Sequence, residues 1–205
     1  MNVQSADTRG SKAAAIKRKG RQPVDNSFPA LKIALREWVV AEFMSARVLD
    51  VYGGYGLMYR QVWSRVSSSY EATDGDSLAW LQDRESLDYD LFDVDPYGSP
   101  FEALQIIAKR AIRNRIGLVC TDGCLRRQGT YRGNLPKVVE QTCGWGSENK
   151  ALMASIYYNY PGHLRYLLRH LMPGWFIETL AVRYGKGGGK HTMAYFAFIL
   201  KRVES

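Results

Sequence analysis

Four consecutive residues, Asp95-Pro96-Tyr97-Gly98, close the run from Tyr89 to Pro100 and carry the groups needed to hold a planar amino group. The Asp95 carboxylate and the Pro96 carbonyl are two acceptors for one exocyclic NH2, and Pro96 has no N–H of its own to compete. Tyr97 offers a ring face for a base, worth about 1–3 kcal/mol in stacking. Methyl transfer to the amino nitrogen of a nucleobase needs such a set. The same tetrapeptide also serves as an ordinary strand-ending turn, so the rest of the chain has to decide.

A second segment, Asp50-Val-Tyr-Gly-Gly-Tyr-Gly56, is a glycine-rich loop following an apolar stretch. Gly53, Gly54 and Gly56 let the backbone turn sharply and a ligand approach closely. A tight turn with no ligand is the plainer reading. The dinucleotide fingerprint G-x-G-x-x-G is not present, which counts against a nicotinamide oxidoreductase. Asp74, and its rival Asp76, fall where a second strand would end and suit ribose hydroxyls. Asp95 ends the strand after that. Ligands of open α/β sheets bind at the carboxyl ends of strands, and all these residues occupy such ends.

The elements that must position them follow from periodicity. Residues 29–44 repeat apolar positions near 3.6, with Leu31, Leu35, Trp38 and Val39 expected on one face and Pro29 in the first turn. Strands are expected at 47–52, 70–73, 90–94 and 116–121, and helices at 57–66, 77–81 and 101–114, the last with Ile112 inward. Weaker helices are read at 135–142 and 148–158, and a firmer one at 163–172. Strands 175–184 and 192–201 flank a glycine-rich hairpin loop. Alternation of strands and helices implies a parallel sheet, closed by an antiparallel hairpin.

The 205 residues suffice for one α/β domain, expected over 28–205. Composition is 46% hydrophobic and 23% charged, ordinary for a soluble protein, and no apolar run approaches a bilayer's thickness. Cys120, Cys124 and Cys143 form no CxxC pair, so a reduced, cytoplasmic setting is expected and no metal site. Net charge is +8, which suggests a polyanionic partner. Residues 1–36 hold eight Lys and Arg against Asp7 and Asp25, a balance of +6. Residues 1–27 are therefore expected to form a flexible basic arm, either touching phosphates or merely solvated.

The joint pattern resembles the class I S-adenosylmethionine-dependent methyltransferases across about residues 45–205. The resemblance implies an α/β, Rossmann-like fold, mostly parallel with a C-terminal antiparallel β-hairpin, and S-adenosylmethionine as cofactor. It implies cofactor contacts at Asp50, Tyr52, Gly53, Gly54, Gly56 and Asp74 or Asp76; Tyr52 stands where the usual loop has its first glycine. Asp90-Leu-Phe-Asp-Val-Asp-Pro-Tyr-Gly-Ser-Pro100 is similar to the matching segment of the tRNA guanine N2-dimethyltransferases, including Asp93 inside the strand. Leu118-Val-Cys-Thr-Asp-Gly-Cys-Leu125 is similar to that family's next strand. Catalysis is then expected at Asp95, Pro96 and Tyr97, and substrate contacts at Gly98, Asp122, Arg126, Arg127 and Tyr131. Asp122 equally suits a turn cap, and the arginines a solvated loop.

The expected activity is methylation of a nucleobase amino group, guanine N2 in RNA before adenine N6 or cytosine N4 in DNA. A catalytically silent nucleic-acid-binding module is the reading from another class. That family's C-terminal RNA-binding domain and N-terminal substrate segment have no recognisable counterpart here, so the resemblance bears on the reaction more than on tRNA.

Overall fold

Strands β1 (Ala46–Asp50), β3 (Leu91–Val94) and β4 (Arg115–Asp122) are short, apolar and buried along nearly their whole length. Such runs suit only a sheet covered on both faces. The computed structural model describes residues 28–53, 56–73, 75–96, 98–123, 125–126, 130–131, 135–146, 148–186 and 192–203, with the side chains of 125, 126, 130, 131, 186 and 192 left aside.

Six strands form one sheet in the order β2-β1-β3-β4-β8-β7, with β2 at Ser67–Ala72, β7 at Trp175–Lys186 and β8 at Thr192–Arg202. β1 runs parallel to β2 and β3, and β3 parallel to β4. β8 inserts antiparallel between β4 and β7. The expected α/β sheet with its closing hairpin is therefore present. Among the described residues no helix is long and apolar enough to cross a membrane.

One sheet face carries helix α1 (Pro29–Val40) and the turn after β1, which is a π-helical segment, Tyr59–Trp63, running into the short α2 (Ser64–Val66). Leu35, Val39, Met58, Val62 and Trp63 pack there on Val48, Leu91 and Val119. The other face carries α3 (Ser77–Asp83), α4 (Phe101–Arg110), α5 (Lys137–Cys143), α6 (Lys150–Tyr158) and α7 (Tyr160–Leu171). Leu104, Ile107, Leu164 and Leu168 meet Phe92, Phe196 and Phe198 in that layer. A two-stranded ribbon, β5 (Leu125–Arg126) with β6 (Thr130–Tyr131), follows β4.

Two expectations need correction. The buried stripe of α1 is Lys32, Leu35, Arg36 and Val39, so two cations occupy core positions while Leu31 and Trp38 are only partly buried. The fourth helix stops at Arg110 rather than 114, because Ala111 turns extended and bridges to Leu87. That bridge leaves Ile112 55% exposed instead of inward. A partner from outside the helix decided this end, and periodicity cannot see it.

α1 sits close on the sheet because β4 has no side chain at Gly117, beneath Val39. A Cβ at Gly117 would stand 2.5 Å from Val39 Cγ1 and 2.6 Å from Leu91 Cδ2. α1 is entered through Phe28, whose φ of 60° and ψ of 54° lie in the left-handed region. For an aromatic residue that conformation is costly and persists only where its surroundings enforce it. Its ring packs edge-on to Tyr195 at 6.3 Å, where a Cβ on Gly185 would stand 2.5 Å away.

Candidate active site

β1 pairs with β2 on one side and β3 on the other, so the strand order reverses at β1. A crevice opens at the carboxyl ends of such strands. Asp50 ends β1 there, and the chain turns away through Gly53 and Gly56. Gly56 N–H donates to the Gly53 carbonyl at 2.8 Å, with Gly56 at φ +66°. A Cβ on Gly53 would stand 2.9 Å from the Ala72 Cβ and 3.2 Å from the Asp50 carboxyl carbon. Only glycine lets the chain pass this close.

Asp50 lies in register beside Asp93 of β3. Both carboxylates are buried. Burial, reinforced by the Asp93 charge, pushes the Asp50 carboxyl up to about 8, against the pull of the Tyr70 hydroxyl and Arg36. Tyr70 donates its hydroxyl to Asp50 Oδ2 at 2.9 Å, and its own ionisation is pushed up by burial and by Asp50. Nearby, Asp76 caps α3, its Oδ1 accepting from the Leu78 and Ala79 N–H groups at 3.0 and 3.2 Å. Tyr52 is half-buried, and its phenol is pushed up to about 12 by burial and by Glu102 and Asp76.

Asp93 and Asp95, two apart on the third strand and its end, face Arg36 and Lys32, four apart on α1. Arg36 donates Nε to Asp93 Oδ2 at 2.7 Å and Nη2 to Oδ1 at 2.5 Å. Trp63 Nε1 donates to the same Oδ2 at 2.9 Å. Lys32 Nζ donates to Asp95 Oδ2 at 2.5 Å, with Arg36 Nη2 3.8 Å from that oxygen. The match is geometric: four helical residues rise about 6 Å, and two strand residues about 6.6 Å. The Asp95 side chain remains 20% exposed while that of Lys32 is 5%.

The loops after β3 and β4 are tied together, Gly123 N–H donating to the Gly98 carbonyl at 3.0 Å. Ser99 Oγ accepts from Phe101 N–H at 3.3 Å at the head of α4. Asp122, ending β4, is fully buried and accepts from the Tyr160 hydroxyl at 2.7 Å. Its carboxylate thereby ties the end of β4 to α7.

The structure therefore brings Asp50, Tyr52, Gly53, Gly56, Asp76, Asp95, Pro96 and Gly98 to the ends of neighbouring strands. Gly54, Asp74, Tyr97, Arg127 and the arm 1–27 lie outside the described residues, as do the side chains of Arg126 and Tyr131 on the ribbon. Lys32, Arg36, Trp63 and Tyr70 are additions that sequence reasoning missed. Lys32 and Arg36 belong to the charge balance of residues 1–36; they are buried against Asp95 and Asp93. A signal existed, since Asp93 in a wholly buried strand demands a cationic partner and two cations share the α1 stripe with Leu35 and Val39. Among the described residues no group of three or more His, Cys, Asp or Glu is placed to hold a metal ion.

No family model matches the chain, and no curated protein matches it. Solved structures do. A Streptococcus thermophilus protein provisionally described as a hemolysin matches with a TM-score of 0.50 at 13% identity, over 91% of this chain and 70% of that one. An O-methyltransferase from Bacillus cereus, solved with S-adenosylhomocysteine, matches with 0.47 at 12% identity, over 98% and 93%. TYW2 from M. jannaschii, solved with AdoMet, matches with 0.46 at 10% identity, over 84% and 76%. At these identities the likeness is one of fold.

Proposed function

We propose that this protein is an S-adenosylmethionine-dependent methyltransferase acting on an exocyclic amino group of a nucleobase, guanine N2 in RNA by preference. The observation that carries the reading is the placement of the Asp95-Pro96 pair. It stands at the carboxyl end of β3, beside the reversal point of the sheet, with the Asp95 carboxylate still partly open to solvent.

The residues present fit the cofactor. Gly53 passes close against Ala72 and Asp50 at the end of β1, and Gly56 takes a positive φ, so the chain turns sharply where a cofactor would lie. Burial and the Asp93 charge raise the Asp50 carboxyl, and in its protonated form it can donate as well as accept. Asp76 has one oxygen committed to its helix cap, which favours Asp74 for the ribose hydroxyls. When bound, the cofactor supplies an electrophilic sulfonium methyl. The chain's own residues then do the positioning. An aryl amine is a poor nucleophile because its lone pair is delocalised into the ring. Asp95 and the Pro96 carbonyl accept its two hydrogens and turn the lone pair toward the methyl carbon. As the carbon–sulfur bond breaks to leave a neutral thioether, the nitrogen would gain the methyl and its surplus proton would leave to water. Asp95 need not act as a strong base, and positioning with fixed charge supplies most of the acceleration.

The preference for nucleic acid rests on charge. With Lys32 and Arg36 spent inside the protein, residues 1–27 still hold six Lys and Arg against two Asp. They join the domain at Phe28, which packs on Tyr195 beside Lys32, close to Asp95. The target base must leave its stack to reach Asp95.

The test is transfer of labelled methyl from S-adenosylmethionine to small RNA and to duplex DNA, with the modified nucleoside identified by mass. Label in N2-methylguanosine is the expected result. Label in a DNA base would overturn the substrate while keeping the reaction. No label in either would overturn the activity. Asp95→Ala should abolish transfer and leave cofactor affinity within a few-fold.

A further inference from the structure

Residues 149–177 contain no Asp or Glu, yet they hold Lys150, Arg165, Arg169 and two histidines. This stretch forms α6 and α7. On α7 the stripe Leu164, Leu167, Leu168 and Leu171 is buried. That turns Arg165, Tyr166, Arg169 and His170 outward, and all four are exposed. Among the described residues neither guanidinium has a hydrogen bond or an ion pair, so their N–H groups face solvent.

The rings beside these cations form a column. Trp145, in the turn after α5, lies nearly parallel to Tyr166, at an interplanar angle of 13° with ring centres 5.6 Å apart. His170 continues the column, its ring centre 4.2 Å from that of Tyr166. Its Nδ1 donates to the Tyr166 carbonyl at 2.8 Å, which holds the ring in place. Tyr166 itself is 46% exposed. Ring faces that accept bases, set among cations that accept phosphates, are how proteins hold unpaired nucleic acid strands.

We propose that the outer face of α7 is a track for single-stranded RNA, holding the nucleotides that flank the target base. This rests on the nucleobase reading above and narrows its substrate to a strand rather than a free nucleoside. Charge selects the partner: an acid-free stretch with open guanidinium groups suits a phosphate backbone. The direction fits as well. Tyr160, the first residue of α7, bonds Asp122 at the carboxyl end of β4, and β4 adjoins the strand leading to Asp95. The helix then descends to the other end of the sheet, where Trp175 opens β7 opposite Arg202. Tyr166 and His170 stand about 9 and 15 Å from Tyr160 along the helix axis. Stacked nucleotides rise about 3.4 Å each, so the column meets the strand about three to four nucleotides from the target.

The experiment measures binding of the full chain to a trinucleotide and to a single-stranded RNA of about ten nucleotides, by fluorescence anisotropy over a range of salt. The longer RNA should bind wild type about tenfold or more tightly than the trinucleotide, the scale of one or two stacked bases. Arg165→Gln with Arg169→Gln should lose most of that advantage and flatten the slope of log K against log salt by about 1.4, two contacts on a single strand. Tyr166→Ala should weaken the longer RNA with the slope unchanged. Lys201→Gln, exposed at the end of β8, should bind as wild type does. A double arginine variant with wild-type affinity and slope overturns the track, and so does a Lys201→Gln loss as large as that of the arginines. Both arginines are exposed and unpaired, so the variant folds and the comparison holds. RNA binding intact without methyl transfer in the wild type overturns the methyltransferase reading alone.

Discussion

Arg36 and Asp93 stand 57 positions apart in the chain and meet in a two-pronged ion pair with both side chains at most 2% exposed. The pair docks α1 on the strand that ends at Asp95, and Trp63 from the segment after the glycine turn closes on the same carboxylate. One buried acid therefore ties together the first helix, the turn after β1 and the strand bearing the candidate catalytic residue.

Removing one partner of such a pair leaves an uncompensated buried charge. Arg36→Met should cost about 3–5 kcal/mol, and pairing it with Asp93→Leu should recover much of the loss. Urea unfolding of the two single variants and the double variant reads this directly. An Arg36→Met within about 1 kcal/mol of wild type would show that the pair is dispensable.

The close seat of α1 rests on Gly117. Gly117→Ala forces a methyl into Val39 and Leu91 and should destabilise by about 1–3 kcal/mol, as overpacking does. It should also lower methyl transfer, because Lys32 rides on the displaced helix. An unchanged melting temperature would mean that the helix shifts at no cost.

Asp50 makes a pH prediction. Its carboxyl is raised from 3.8 to about 8 by burial and by Asp93, so the folded state holds the proton more tightly than the unfolded state. The resulting stabilisation is complete below pH 3.8, declines as pH rises, and is gone above about 8. Asp50→Asn removes this slope, and the variant should gain on wild type as pH rises from 5 to 8. Chemical denaturation at several pH values tests it; parallel curves for the two proteins would contradict the raised value.

Deleting residues 1–27 removes six cations and two anions. Affinity for RNA should fall and the dependence of log K on log salt should flatten. Filter binding from low to moderate salt measures both. A slope equal to that of the full chain would rule out phosphate contact by this segment.

Much of the fold was legible in sequence because it depends on local pattern. Buried strands read as continuous apolar runs, as at residues 116–120, and the reversal from glycine turn to helix marks where β1 ends. The boundaries that failed have a common cause. Periodicity in residues 101–114 continues past Arg110, but the chain obeys Leu87, which claims Ala111 by a bridge.

The site divides in the same way. Residue types and spacing along the chain determined that acids and glycines would gather at strand ends: Asp50, Gly53, Gly56, Asp76, Asp95 and Pro96 need only a parallel sheet to be neighbours. Tertiary structure alone decided which cations answer them. Lys32 and Arg36 look like two more charges of a basic N-terminal stretch, and their partners lie about sixty residues away. Their burial follows from the matched rise of helix and strand and from the missing side chain at Gly117. These relations exist only once α1 lies across the sheet, since a pairing between distant segments has no local signature.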